Sequence, residues 1–147
     1  MQKPHLIAAF LLCAAITACL RADNPSPVPS DKEQLQGTWK IVHRQKNGQP
    51  EETGQGAAMK FTGDTITQST DGNASEGTFT LDPTTNPKQI TMTGATGEHA
   101  GAVFNAIYEL KGDALKIAYS TAQNAKARPK DFACGEGEGL LVLERMK

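Results

Sequence analysis

Few residues in this chain are of types that do chemistry, and they lie far apart in sequence. Cysteines stand at positions 13, 19 and 134 and histidines at 5, 43 and 99. A nucleophilic thiol needs a base held against it. Cys134 has Asp131 nearby, but His43 and His99 fall on other elements with nothing tying them to it. The expectation is therefore a buried or unpaired thiol rather than a catalytic one. Glu98 and His99 could join Glu136 and Glu138 around a metal, yet the chain has no HxH, HExxH or CxxC spacing to support a site. The run Gly135-Glu136-Gly137-Glu138-Gly139 lacks the lysine and following helix of a phosphate loop and carries the wrong charge. Catalytic residues, metal and cofactor are each expected to be none, and the protein is read as a non-enzyme.

Cys19 is different, because its surroundings carry a specific signal. Lys3 and the free amine precede an uncharged apolar run, Leu6 to Ala15, and small residues follow, the three parts of a secretory signal. The run is short for a permanent membrane span. It ends in Ile16-Thr17-Ala18-Cys19, which resembles the bacterial lipobox. The resemblance implies cleavage after Ala18 and thioether lipidation of Cys19. Two or three acyl chains anchor stably where one holds weakly, each buried methylene contributing roughly 0.8 kcal/mol. The expected partner is thus the membrane, through the lipid on Cys19. The expected location is the extracytoplasmic side of the cell envelope. Leu20 stands where an Asp would retain the protein in the inner membrane, so the outer membrane is the default where there are two. With Cys13 removed and Cys19 acylated, Cys134 is the only thiol left and no internal disulfide can form.

The charge balance, 15 Lys plus Arg against 16 Asp plus Glu, removes the electrostatic case for nucleic-acid binding. Pro25, Pro27 and Pro29 alternate, so the segment after the signal reads as an extended spacer reaching roughly 30 Å. Ser30 and Glu33 form a capping box for a short helix from Asp31 to Gln36. The chain divides into a signal (1–18), a lipidated Cys and Pro-rich linker (19–30) and one domain (31–147).

Within the domain, short alternating segments are separated by turn chemistry. Eight strands are expected: Gly37–Arg44, Met59–Thr62, Thr65–Ser69, Gly77–Leu81, Gln89–Thr93, Val103–Leu110, Ala114–Ser120 and Leu140–Met146. Asn47-Gly48, Gly63-Asp64, Asp71-Gly72 and Gly112-Asp113 supply tight turns. Hairpin connections without a long crossover favour an all-β, eight-stranded up-and-down antiparallel barrel, whose closure removes exposed edges.

Leu35-Gln36-Gly37-Thr38-Trp39 looks like the Gly-x-Trp opening of the first lipocalin strand. With Phe79-Thr80-Leu81-Asp82-Pro83, Ile107-Tyr108-Glu109-Leu110, Leu115-Lys116-Ile117-Ala118-Tyr119, Arg128-Pro129 and Leu141-Val142-Leu143-Glu144-Arg145, it resembles a lipocalin-like domain family of planctomycete bacteria, uncharacterised in function. The resemblance covers about residues 31–147. It implies that Trp39 closes one end of the barrel beneath Arg145, as a cation–π pair. The Thr-Asp-Tyr motif of classical lipocalins is absent and the domain is shorter than a typical carrier, two departures from the family that count against a large ligand cavity.

Alternation along the strands points Trp39, Ile41, Met59, Phe61, Phe79, Leu81, Ile90, Met92, Tyr108, Leu110, Leu115, Ile117 and Tyr119 inward. Trp39, Met59, Phe61, Phe79, Tyr108, Ile117 and Tyr119 are the candidates to line a ligand pocket. The same wall suits a packed core, and because only 21 residues of 19–147 are Leu, Ile, Val or Phe, a filled barrel is expected. The 121–139 connection reads either as a lid or docking surface, or as a solvated loop whose Phe132 plugs the barrel end. The functional expectation is a binding module for a small apolar ligand or a protein partner, with a structural envelope role as the alternative.

Overall fold

The computed structural model describes residues 26–52, 54, 56–122 and 125–147. The signal, Cys19 and the first part of the Pro-rich segment lie outside the described residues. The rest of that segment, 26–30, has no regular structure and is exposed.

Ser30 caps a five-residue helix, α1 (Asp31–Leu35), through the expected reciprocal pair: Glu33 N–H donates to Ser30 Oγ and Ser30 N–H donates to Glu33 Oε2 at 2.7 Å. Gly37 then takes φ +115°, a left-handed value that turns the chain from the helix into the first strand. Nine strands follow: β1 (Gly37–Lys46), β2 (Gln49–Pro50), β3 (Ala58–Thr62), β4 (Thr65–Thr70), β5 (Asn73–Asp82), β6 (Lys88–Gly94), β7 (Val103–Lys111), β8 (Ala114–Ser120) and β9 (Glu138–Arg145). All pairings are antiparallel, β3 lies beside β1, consecutive strands from β3 to β9 lie side by side, and β1 pairs with β9 to close the ring. The result is a closed eight-stranded up-and-down barrel, to which β2 adds only a two-residue flap on β1. Asn47 and Gly48 both have positive φ, as a twisted two-residue hairpin requires. Strand β5 begins at Asn73, four residues before the expected start, because Asp71-Gly72 makes an equally tight turn.

The thirteen residues expected to point inward all belong to the barrel core, joined by Leu35 from the helix and by Ile66, Ala106, Leu141 and Leu143. Large side chains concentrate at one end. Trp39 is fully buried there, and its indole Nε1–H donates to Leu35 O at 2.8 Å, fixing α1 across the opening. Arg145 stacks on Trp39 with its guanidinium carbon 4.2 Å from the ring centroid. It also donates to the backbone oxygens of Gln36, at 2.8 Å, and Gln34. Asp31 accepts from Lys88 Nζ at 2.8 Å and from Tyr108 OH at 2.6 Å. This end is sealed.

The 121–137 connection starts at the cavity edge with Thr121, and its later part, from Arg128 to Cys134, lies against the barrel wall. Phe132 and Cys134 pack with Ile107, Ala118, Leu140 and Val142, outward-facing residues of β7, β8 and β9. The expected plug is corrected accordingly: alternation gives these strands a second apolar face, and the loop covers it. Arg128 pins the loop by donating to Ile90 O at 2.8 Å, Ala106 O at 2.7 Å and Thr91 Oγ1 at 2.6 Å. Burial lowers the Arg128 pKa from its ordinary value, against a smaller opposing effect of Asp82.

Candidate functional site

At the end opposite Trp39 the barrel is hollow. A cavity of about 270 Å³ opens there, slightly below the usual range of roughly 300–1,000 Å³ for small-molecule sites. Gly77 and Gly94 stand at its edge. Gly77, Gly94 and Gly139 occupy strand positions whose neighbours two residues further in, Phe79, Met92 and Leu141, face the core. By alternation these are inward positions, but a Cβ at Gly77 would meet the backbone of Thr93, one at Gly94 the backbone of His99 and one at Gly139 the ring of Tyr119, so each glycine admits a close neighbour and does not open the cavity. Gly77 and Gly94 are direct cross-strand partners, and the Gly139 position is covered by the ring of its own partner, Tyr119.

Met59, Ile66, Met92 and Leu141 form the apolar floor of the cavity, and Phe104 and Tyr119 contribute aromatic walls. Phe104 meets Tyr119 edge-on at 6.4 Å and His99 edge-on at 5.3 Å. His99 ends a short 3₁₀ turn, Gly97–His99, at the mouth. Burial raises the pKa of Tyr119, while nearby Arg44 opposes the rise. The expected filled barrel is thus corrected: one half is packed and the other is open.

Of the expected lining residues, Met59 and Tyr119 border the cavity. Trp39, Phe61, Phe79, Tyr108 and Ile117 do not; they fill the sealed half, where they pack on one another, Phe61 edge-on to Phe79 at 5.3 Å. The physical reason is axial position: alternation reports which face a residue takes, not how far along the barrel it sits.

One residue at the site escapes simple alternation. The β1–β9 register slips between Ile41 and His43, a β-bulge that inserts Val42 and turns the following side chains over. Strict alternation from Trp39 and Ile41 would aim His43 inward. The bulge instead sets Arg44 opposite Leu141, and both line the cavity. Glu51 lies beside Arg44, with Nε to Oε2 at 3.7 Å, and a Cβ on Gly54 would come within 3.0 Å of Arg44 Nη1.

The other candidates remain apart. Cys134 is buried on the outer face with its Sγ 3.5 Å from Glu138 O, while Asp131 accepts from Ala133 N–H. Glu138 accepts from Gly135 N–H, and among the described residues no group of three or more His, Cys, Asp or Glu is placed to hold a metal ion. Comparison with protein-family models, curated proteins and solved structures gives no match.

Proposed function

We propose that this protein is a lipid-tethered binding module of the cell envelope, related to the lipocalin-like proteins its strands resemble, and that it takes a small ligand into the open half of its barrel. The observation that carries this reading is the cavity of about 270 Å³ at the end of the barrel opposite Trp39, with Met59, Ile66, Met92 and Leu141 of the core in its lining. Apolar residues such as Met59, Met92 and Leu141 share its lining with polar and charged ones, Arg44, Gln68, Thr93 and His99 among them, a more polar wall than is usual for a small-molecule site. The reading is non-enzymatic, because Cys134, the chain's candidate nucleophile, is buried on the outer face.

The described part of the tether, 26–30, leads into α1 at the end of the barrel opposite the cavity. Mass spectrometry of the mature N-terminus tests the anchor, and an unmodified Cys19 contradicts it. Calorimetric titration of the full chain with eight-carbon amphiphiles of different head groups tests the site. Saturable one-to-one binding of at least one of them is expected. Absence of binding across the set removes the small-ligand reading and leaves the structural role.

A further inference from the structure

We infer that Arg44 makes this pocket an acceptor for small amphipathic anions, the guanidinium holding a carboxylate while the apolar floor takes a short hydrocarbon body. The inference rests on the ligand-binding reading and adds the chemical class to it.

The chain uses its described arginines in two distinct ways. Arg128 and Arg145 each donate three hydrogen bonds to described groups, two to backbone carbonyls and one to a side chain. Arg44 makes no side-chain hydrogen bond to a described group, and its Nε is buried without a partner. Glu51 balances the charge at 3.7 Å but stands outside hydrogen-bonding distance. Buried donors on a charged fork are costly to leave unmade, and a planar guanidinium is suited to two parallel bonds from one carboxylate.

The placement is specific. Without the bulge at Val42, alternation would direct Arg44 to the outer face, where water would satisfy it. With the bulge, the guanidinium borders a cavity floored by Met59, Met92 and Leu141, so one ligand can reach both surfaces. Lys46 adds positive charge at the exposed rim, while Glu76 is the exposed acid across the mouth. Glu51 would be the group displaced by the incoming anion. The cavity volume limits the ligand to about ten to fifteen non-hydrogen atoms, fewer than in a drug-sized molecule.

The test is a calorimetric comparison of octanoate, 1-octanol and octylamine on the full chain, its Arg44→Met variant and its Glu51→Gln variant. Octanoate should bind the wild type at least about tenfold more tightly than 1-octanol. Arg44→Met should remove that preference while leaving 1-octanol within about threefold, and Glu51→Gln should strengthen octanoate binding. Equal or tighter binding of 1-octanol or octylamine to the wild type overturns the proposal while sparing the ligand-binding reading. An unchanged octanoate affinity in Arg44→Met overturns it as well. If Arg44→Met does not fold, the wild-type head-group preference and the Glu51→Gln response decide. Failure of all three amphiphiles to bind overturns both the proposal and the reading beneath it.

Discussion

Arg145 covers Trp39 at the sealed end of the barrel, its guanidinium carbon 4.2 Å from the centroid of the indole ring. The pair joins the last strand to the first, and the same guanidinium holds the backbone of α1 through Gln34 and Gln36 and meets Asp113 Oδ1 at 3.0 Å. Removing it leaves carbonyls at the helix end without donors. Arg145→Ala should cost about 2–4 kcal/mol, combining the ring contact with lost charged hydrogen bonds. Arg145→Lys should recover only part of this, since an ammonium cannot reproduce the planar fork. Urea unfolding of the three proteins measures both effects.

Asp31 gives the same end a pH dependence. Burial pushes its carboxyl pKa up, but hydrogen bonds from Lys88 and Tyr108, with the charge of Lys88, outweigh this and leave it below the ordinary value. A carboxyl depressed in the folded state contributes stability that is present above its unfolded pKa, about 3.9, and lost as pH falls through the folded one. Asp31→Asn should therefore be less stable at neutral pH, by about 1–2 kcal/mol. The gap should close below about pH 4. Thermal unfolding of both proteins across that window checks it; a constant gap would show that the carboxylate's charge is not what matters.

Much of this arrangement is legible in the residues. Hydrophobic alternation places Trp39, Ile41 and the other inward residues, and the turn pairs set the hairpins that force an up-and-down order. What alternation lacks is distance along the barrel, so Phe61 and Tyr108 read as pocket walls although they fill the sealed half. It also assumes an unbroken register, and the bulge at Val42 has no glycine to announce it. Phe132 is misplaced for a third reason, because two faces of one sheet compete for the same apolar loop residue. Nor does the residue pattern announce the hollow half, since Gly77, Gly94 and Gly139 mark close approaches of Thr93, His99 and Tyr119 to their strands and not open space.

Gly139 is the most constrained of the three by a side chain. A Cβ there would lie 2.3 Å from Tyr119 Cζ, so Gly139→Ala must push the ring toward the cavity. The expected cost is about 1–3 kcal/mol, the range for overpacking. It should shrink in a Tyr119→Ala background, where the obstruction is gone. A double-mutant cycle by denaturant unfolding measures the coupling; additive effects would mean the ring does not meet this position.

Cys134, carried by the 121–137 strap and packed against Ile107, Ala118 and Leu140, is 2 % exposed. In the native protein it should react with an aromatic disulfide reagent only through local opening, and rapidly in denaturant. Arg128→Ala, which releases the strap from β6 and β7, should accelerate the native reaction. An Arg128→Ala rate equal to that of the parent would show that the strap is held by its apolar contacts alone.

The most direct test of the open-half binding site is an NMR titration of the full chain with octanoate, following the methyl groups of Met59, Met92, Leu115 and Ile117. Met59 and Met92 floor the cavity, whereas Leu115 and Ile117 belong to the buried core away from it. Saturable shifts of the two methionine methyls, with the other two nearly unmoved, are the predicted result; no saturable shift of Met59 and Met92 would contradict the account.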